Sequence, residues 1–499
     1  MTGAGPAERA GPRAELTAEY QADQYAAGDG GDVRVILKVT VAGLGEEAAG
    51  RAAHRSEIII IDCSGSMRHP SIRPIAAARR AAEKAIELLP DGTHFALVRG
   101  NEAAEVVYPS RPGTVAADEE TRRAGGLAAR AMDGNGGTRI SAWLDLARRL
   151  LAGRPDASLR HVLLLTDGRD RHEEEDELRR VLDACEGEFT CDALAIGEDW
   201  DVDQLREIVG RLNGRAAAVE PSPGADGPAF PEELTRMLTG IVRTATARTL
   251  PQLGIRVWTG PGVRISLFRQ LVPVERDLTA AGHVGATDEA EGDVTGFATG
   301  AWGDETRWYE LRLRAESASS RSGGGAGPGA RIASVGLAAE GVALPETRSV
   351  TVRWTDESPP FSNPAPVGEH FKHTVALNEA DQRGCRALAA GDLATAAEEL
   401  GRAVRLARLL GDERRLTRLA RLVVIEDADE GRVTVRADPD SGQLKRMLLE
   451  SGYSMAPPAP DGAGNVESEG RPVCCPVCGE WVRPGRFCNN CGHQFADAP

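Results

Sequence analysis

Val33, Val35, Leu37, Val39 and Val41 alternate with Arg34, Lys38 and Thr40, Ile36 being the one exception, which predicts a half-buried antiparallel strand. The period then vanishes. Residues 58–61 are four consecutive isoleucines, the pattern of a parallel strand buried on both faces. Residues 72–89 place Ile75, Ala78, Ala82 and Ile86 at helical spacing and stop at Pro90 and Gly92. Strands at 94–98 and 104–108, helices at 117–131 and 140–151, a second buried strand at 161–166 and further alternation to 246 predict a doubly wound α/β domain over 54–246. From 251 the period is two again, in Ile255 and Val257, in Val263, Ile265 and Leu267, in Tyr309, Leu311 and Leu313, and in Val350, Val352 and Trp354. Short strands between Gly and Pro turns predict an antiparallel β-sandwich. The strand at 33–41 is expected to pair with them, which makes the α/β domain an insertion in a β-sandwich built from 30–50 and 249–357.

Helical spacing returns at 374–390 and 394–410, broken by Gly391 and Asp392, and again after Gly411 and Asp412, so 369–453 reads as a helical domain. The stretch GDLATAAEELGRAVRLARLLGDERRL resembles a tetratricopeptide-type hairpin. One such unit cannot stack into a solenoid, and packing against the sandwich or a sister subunit is the expected role. Arg405, Arg408, Arg414, Arg415 and Arg418 would form a basic face on it, most simply a solvated one. Residues 1–25 show no period and are expected to be disordered, 317–330 to be a flexible loop and 454–473 to be a tether.

Composition narrows the choice of partner. The net charge of −16 opposes nucleic acid and anionic membrane. No apolar run reaches the length of a membrane helix and the first residues lack a signal core, so a cytoplasmic location is expected. Lysine occurs only at 38, 84, 372 and 445 while Arg, Ala and Gly abound, a usage associated with GC-rich bacterial genomes. Five of nine cysteines crowd into 474–491, a metal-knuckle pattern rather than a disulfide framework.

The chemistry begins where the isoleucine strand ends. In DCSGSM, Asp62, Ser64 and Ser66 can aim one carboxylate and two hydroxyls at a common centre, an all-oxygen set suited to Mg²⁺ or Mn²⁺ and poorly suited to zinc. The Gly-rich loop with Thr138 and the turn Thr166-Asp167-Gly168 after the second buried strand are expected at the same sheet edge, where open α/β sheets bind ligands. Together these residues resemble the metal-ion-dependent adhesion site of von Willebrand factor A domains, with no departure at the five positions. The resemblance implies that Ser64, Ser66 and Thr138 contact the metal directly, and that Asp62 and Asp167 do so directly or through water. It further implies that a partner's Glu or Asp completes the octahedron and that the Thr138 loop moves as it arrives.

A second motif is Cys475-x-x-Cys478-Gly479 with Cys488-x-x-Cys491-Gly492. Four thiolates at this spacing predict a closed structural Zn²⁺ site over 474–495, which resembles a zinc ribbon. No histidine lies in the three oxygen-rich loops, His69 and His172 falling just beyond them. No P-loop, nucleophile elbow or kinase set occurs, and the Asp62 loop lacks the second Asp of a phosphatase motif. The expectation is a non-catalytic adaptor that captures an acidic side chain of a protein partner. Resemblance to bacterial stress proteins of the tellurite-resistance type implies a setting among Ser/Thr kinases and PP2C-type phosphatases. The alternatives are a partner subunit for an AAA+ ATPase of the MoxR or chelatase type, and a metal-dependent hydrolase.

Overall fold

The computed structural model describes residues 12–20, 25–26, 30–44, 54–68, 74–167, 175–197, 200–219, 229–284, 293–316, 330–354, 366–437, 439, 441–454, 456–457, 473–474 and 481–482. They fall into two units, one of residues 1–51, 247–271 and 277–365, the other of 52–246, 272–276 and 366–499.

The second unit is organised on the strands β1 (Arg55–Asp62), β2 (His94–Gly100), β3 (Ala104–Tyr108), β4 (Leu159–Thr166), β5 (Thr190–Ile196) and β6 (Ala216–Val219). Their order in the sheet is β6-β5-β4-β1-β2-β3. All neighbours run parallel except the β2–β3 pair and the short strand Val115–Ala116, which lies antiparallel on β2. The sheet is therefore mixed rather than wholly parallel. Ile58 and Ile60 bury one face under α3 (Ile140–Ala152), α4 (Glu175–Cys185) and α5 (Val202–Arg211), through Leu144, Leu182 and Ile208 among others. Ile59 and Ile61 bury the other under α1 (Pro74–Glu87), α2 (Glu119–Ala131) and α6 (Ala229–Ala247), through Ile86, Ala129 and Leu238. Helices on both sides explain why the isoleucine run has no polar face.

The chain runs outward from β1 through β2 and β3, then returns to place β4 on β1's other side. The carboxyl ends of β1 and β4 thus meet at the point where winding reverses. That is where such sheets form a ligand crevice.

The C-terminal segment comprises α7 (Pro366–Ala389), α8 (Leu393–Leu410), α9 (Glu413–Leu419) and α10 (Ser441–Glu450). Gly411 ends α8 in the left-handed region at φ 67°, and Asp392 and Asp412 cap the following helices, so each Gly-Asp pair stops one helix and starts the next. Two expectations need correction. A hairpin of Val423–Asp427 and Arg432–Val435 interrupts the helices. The segment also clusters with the α/β sheet: Leu449 enters the core over α3–α5, Arg206 Nη1 donates to Leu448 O at 3.0 Å, and Tyr453 Oη donates to Ala216 O at 2.7 Å. The basic face is partly spent internally. Arg415 is buried against Asp381, Arg408 pairs with Asp429 at 3.2 Å and Arg418 with Glu450 at 2.8 Å.

In the first unit the strand Gly30–Ala42 pairs with Glu305–Glu316, as the alternation at 33–41 requires. A five-stranded and a six-stranded sheet contribute to one apolar cluster that includes Val35, Leu37, Ile255, Val257, Leu311 and Val350. Residues 13–20, expected to be disordered, form a strand on Gly30–Ala42. Among its described side chains Ala14 and Leu16 are buried, and their small, Glu-interrupted pattern is too weak in hydropathy to announce a strand. Residues 317–329 lie outside the described residues, as does most of the expected tether.

Candidate metal centre

β1 carries Asp62 to the switch point with its side chain fully buried. Oδ1 accepts from Ser64 N at 2.8 Å, the Asx-turn bond that folds the chain back on itself, and Oδ2 accepts from Thr166 Oγ1 at 2.6 Å, tying β1 to β4. Burial pushes the Asp62 carboxyl above its usual range, against the lowering effect of the Thr166 and Ser64 bonds. The turn then presents its two hydroxyls side by side. Ser64 Oγ lies 3.0 Å from Ser66 Oγ, and Ser66 Oγ donates to Asp167 Oδ1 at 2.9 Å.

The third loop is laid onto this turn by its backbone. Asn135 N donates to Cys63 O at 2.6 Å and Gly65 N donates to Gly136 O at 2.9 Å. Gly136 has φ +80° and requires glycine, and a Cβ at Gly134 would fall 2.7 Å from Ser64 O. Thr138, two residues on, is 5% exposed. The structure therefore joins Asp62, Ser64, Ser66 and Asp167 in one hydrogen-bonded chain and binds the Thr138 loop to it. Gly168, His69 and His172 lie outside the described residues, as do Cys475, Cys478, Cys488 and Cys491. Near the last group, Val473–Cys474 pairs antiparallel with Trp481–Val482.

The oxygen spacings can be tested against a cation. Adjacent ligands of an octahedron with metal–oxygen bonds of about 2.0–2.1 Å sit ~2.9 Å apart. The Ser64–Ser66 and Ser66–Asp167 edges, 3.0 and 2.9 Å, match that spacing. The set fits a hard divalent ion. Among the described residues no group of three or more His, Cys, Asp or Glu is placed to hold a metal ion. Cys63 is buried in the apolar cluster with Ile59 and Ile61, and burial, then the Asp62 charge, pushes its thiol up to about 12.

Sequence reasoning missed a second buried charge cluster. At the amino ends of β1, β4 and β5, His161 Nδ1 bonds Glu57 Oε1 at 2.7 Å and Nε2 bonds Asp192 Oδ2 at 3.1 Å, all three residues being buried. Burial pulls the imidazole down, but the Glu57 charge and the bonds to Asp192 and Glu57 prevail and raise it to about 9. Its partners are 104 and 31 residues away, so no local pattern marks it. His161 stands roughly 16 Å along β4 from the Thr166 end, out of reach of the oxygen cluster.

Known proteins resemble the chain in sequence and fold. A family model described as the von Willebrand factor type A domain matches residues 57–218. The solved structure of a von Willebrand factor type A protein from Catenulispora acidiphila is 29% identical with a TM-score of 0.76, over 89% of this chain and 97% of that one. An ArnB paralog, VWA2, from Sulfolobus acidocaldarius shares the fold at a TM-score of 0.53 and 10% identity, over 89% and 98% of the two chains. An uncharacterized protein of Synechocystis is 25% identical over 166 residues, which cover 32% of this chain and 37% of that protein, little more than a third of its length. With Asp62, Ser64, Ser66, Thr138 and Asp167 on the loops at its switch point, the segment 57–218 is a von Willebrand factor type A domain.

Proposed function

We propose that the chain is a non-catalytic adaptor that captures an acidic side chain of a protein partner at the Asp62 centre in a divalent-cation-dependent way. The observation that carries this reading is the hydroxyl chain at the switch point, whose 3.0 and 2.9 Å edges match two edges of an octahedron. Ser64, Ser66 and Thr138 would hold Mg²⁺ or Mn²⁺, with Asp62 and Asp167 direct or one water removed. When bound, the cation supplies an electrophilic centre that few protein charges neutralise, and a carboxylate from outside satisfies it. Ser64 and Ser66 keep that charge uncancelled because hydroxyls are neutral ligands. Asp62 orients the turn through its bonds to Ser64 N and Thr166 Oγ1.

The four cysteines near the C-terminus would hold Zn²⁺ in a second docking arm, and kinase and phosphatase stress signalling is the preferred setting. A cytoplasmic location is supported by four buried free thiols, Cys63, Cys185, Cys191 and Cys385. Among the described residues no helix is long and apolar enough to cross a membrane.

The test is capture with the full-length protein, wild type against Asp62→Ala, with and without added Mg²⁺ and without chelators. Mn²⁺ occupancy is read on the same samples by electron paramagnetic resonance. The reading expects Mn²⁺ binding, and a partner retained by wild type with Mg²⁺ alone, both lost in Asp62→Ala. Equal Mn²⁺ binding by the two proteins, or the same partners in every lane, would remove the Asp62 centre as the docking surface. Co-capture of an AAA+ ATPase in the wild-type lane would replace the signalling setting with the ATPase one.

A further inference from the structure

The turn that joins β2 to β3 grips the metal loop on both sides of Thr138. Asn101 Nδ2 donates to Asn135 Oδ1 at 3.4 Å, Glu102 Oε1 accepts from Gly137 N at 3.0 Å, and Asn101 O accepts from Arg139 N at 3.1 Å. Every second residue from 135 to 139 is thereby held, and Thr138 lies inside the held span. The turn is itself anchored. Asn101 O also accepts from Trp143 Nε1 at 2.7 Å, and the Trp143 ring lies so near β2 that a Cβ at Gly100 would fall 2.5 Å from it.

Of these contacts the one at Gly137 is made by a charged side chain. Gly136 and Gly137 are the most pliable pair in the loop, and Gly136 is already in the left-handed region at φ +80°. Left to themselves, two adjacent glycines would spread Thr138 over many positions, and ordering them on cation binding would subtract from affinity. Glu102 lies over both: its Oε1 takes the Gly137 amide, and its carboxyl would stand 3.7 Å from a Cβ on Gly136.

We infer that Glu102 is a positioning residue of the metal centre, fixing the Gly136–Gly137 backbone so that the Thr138 hydroxyl is held ready for the cation. The role is that of an acceptor, not of a ligand. A glutamine in its place still offers a carbonyl oxygen to Gly137 N, whereas alanine offers nothing. The inference rests on the cation reading of the Asp62 centre, and its test keeps the two apart.

Mn²⁺ affinity is measured by electron paramagnetic resonance on the full-length protein as wild type, Glu102→Ala, Glu102→Gln and Asp62→Ala, with a thermal melt of each in metal-free buffer. Glu102→Ala is expected to weaken Mn²⁺ binding by about threefold to tenfold and Glu102→Gln to stay within roughly twofold of wild type, the scale of one hydrogen bond. The metal-free melts of both Glu102 variants should superimpose on wild type. Unchanged affinity in Glu102→Ala, with binding lost in Asp62→Ala, overturns this inference and leaves the cation centre standing. Equal loss in the Gln and Ala variants overturns it too, because the carboxylate charge is then the agent. A lowered metal-free melt in Glu102→Ala would make the residue a general structural support. Mn²⁺ retained by Asp62→Ala defeats the cation reading and this one with it.

Discussion

At the amino end of β1, Glu57 is buried beside His161, which also bonds Asp192; at the carboxyl end of the same strand, Asp62 is buried beside Ser64 N and Thr166 Oγ1. Both ends hide a carboxylate from water, which is costly for a charge without compensation. At the amino end the compensation is an imidazolium supplied by the next strand, and the cluster is closed to solvent. At the carboxyl end it is neutral dipoles, the buried Thr166 hydroxyl and the Ser64 amide, the latter in a turn whose Gly65 and Ser66 are exposed. A buried acid matched by an internal cation is part of the scaffold. One matched by neutral dipoles beside an exposed turn keeps its charge uncancelled, as the proposed cation site requires. The buried ion cluster and the candidate metal centre thus lie at opposite ends of the same strands of one sheet.

The comparison breaks most sharply at His161. His161→Leu leaves Glu57 and Asp192 buried without their cation, and losing one partner of a buried ion pair costs about 3–5 kcal/mol. Urea unfolding of the full-length protein should show that loss in the transition of the second unit, with Mn²⁺ binding by the folded fraction unchanged. A loss below about 1 kcal/mol would mean that the cluster is not the compensated pair described here.

The same cluster sets a pH dependence. His161 ionises at about 9 when folded against 6.5 in the open chain, so the native state holds its proton more tightly. Its stabilisation is complete below pH 6.5 and is lost as pH rises through 9, an amount of about 3 kcal/mol. Melting temperature should therefore fall between these values in wild type, and much less in His161→Leu. Parallel slopes in the two proteins would assign the dependence to other groups.

A smaller effect is expected where the two strands are tied at their carboxyl ends. Thr166→Val keeps the shape and removes the 2.6 Å bond to Asp62, leaving a buried carboxylate one donor short. Hydrogen bonds to charged acceptors are worth about 1.5–3 kcal/mol, and the lower end applies because Ser64 N remains bonded. Added Mg²⁺ should recover part of the loss in a thermal melt, because it too compensates Asp62. No recovery would argue that the cation does not sit against this carboxylate.

Much of this could be read from the chain because it is local. Four isoleucines, one Asx-turn and a Gly-rich loop state their own structure, and the resemblance on Asp62, Ser64, Ser66, Thr138 and Asp167 carries the rest of the site. What could not be read depends on distance or on weak side chains. The neighbourhood of β1 and β4, which creates the switch point, is a fact of strand order. His161 looks like one polar residue in a strand until Glu57 and Asp192 are brought to it. The strand at 13–20 hides behind alanines, and the hairpin Val423–Asp427 with Arg432–Val435 is masked by the helical segments that flank it closely. Asn101 and Glu102 look like ordinary turn residues, and only their bonds to Asn135, Gly137 and Arg139 show what the turn grips.

The finest test of the contrast is the one with the smallest expected effect on stability. Burial raises the Asp62 carboxyl above its open-chain value, so ionised Asp62 opposes folding at neutral pH, and this penalty disappears as pH falls through the raised value. Asp62→Asn keeps the size and an acceptor for Ser64 N while removing the charge. In metal-free buffer its melting temperature should equal or slightly exceed that of wild type, while Mn²⁺ binding is lost. The same reasoning predicts the opposite at the amino end, where Glu57→Gln removes a charge that His161 needs and should lower the melt. If Asp62→Asn destabilises the metal-free protein as much as Glu57→Gln does, the two ends are compensated alike, and the oxygen cluster is framework instead of a place kept for a cation.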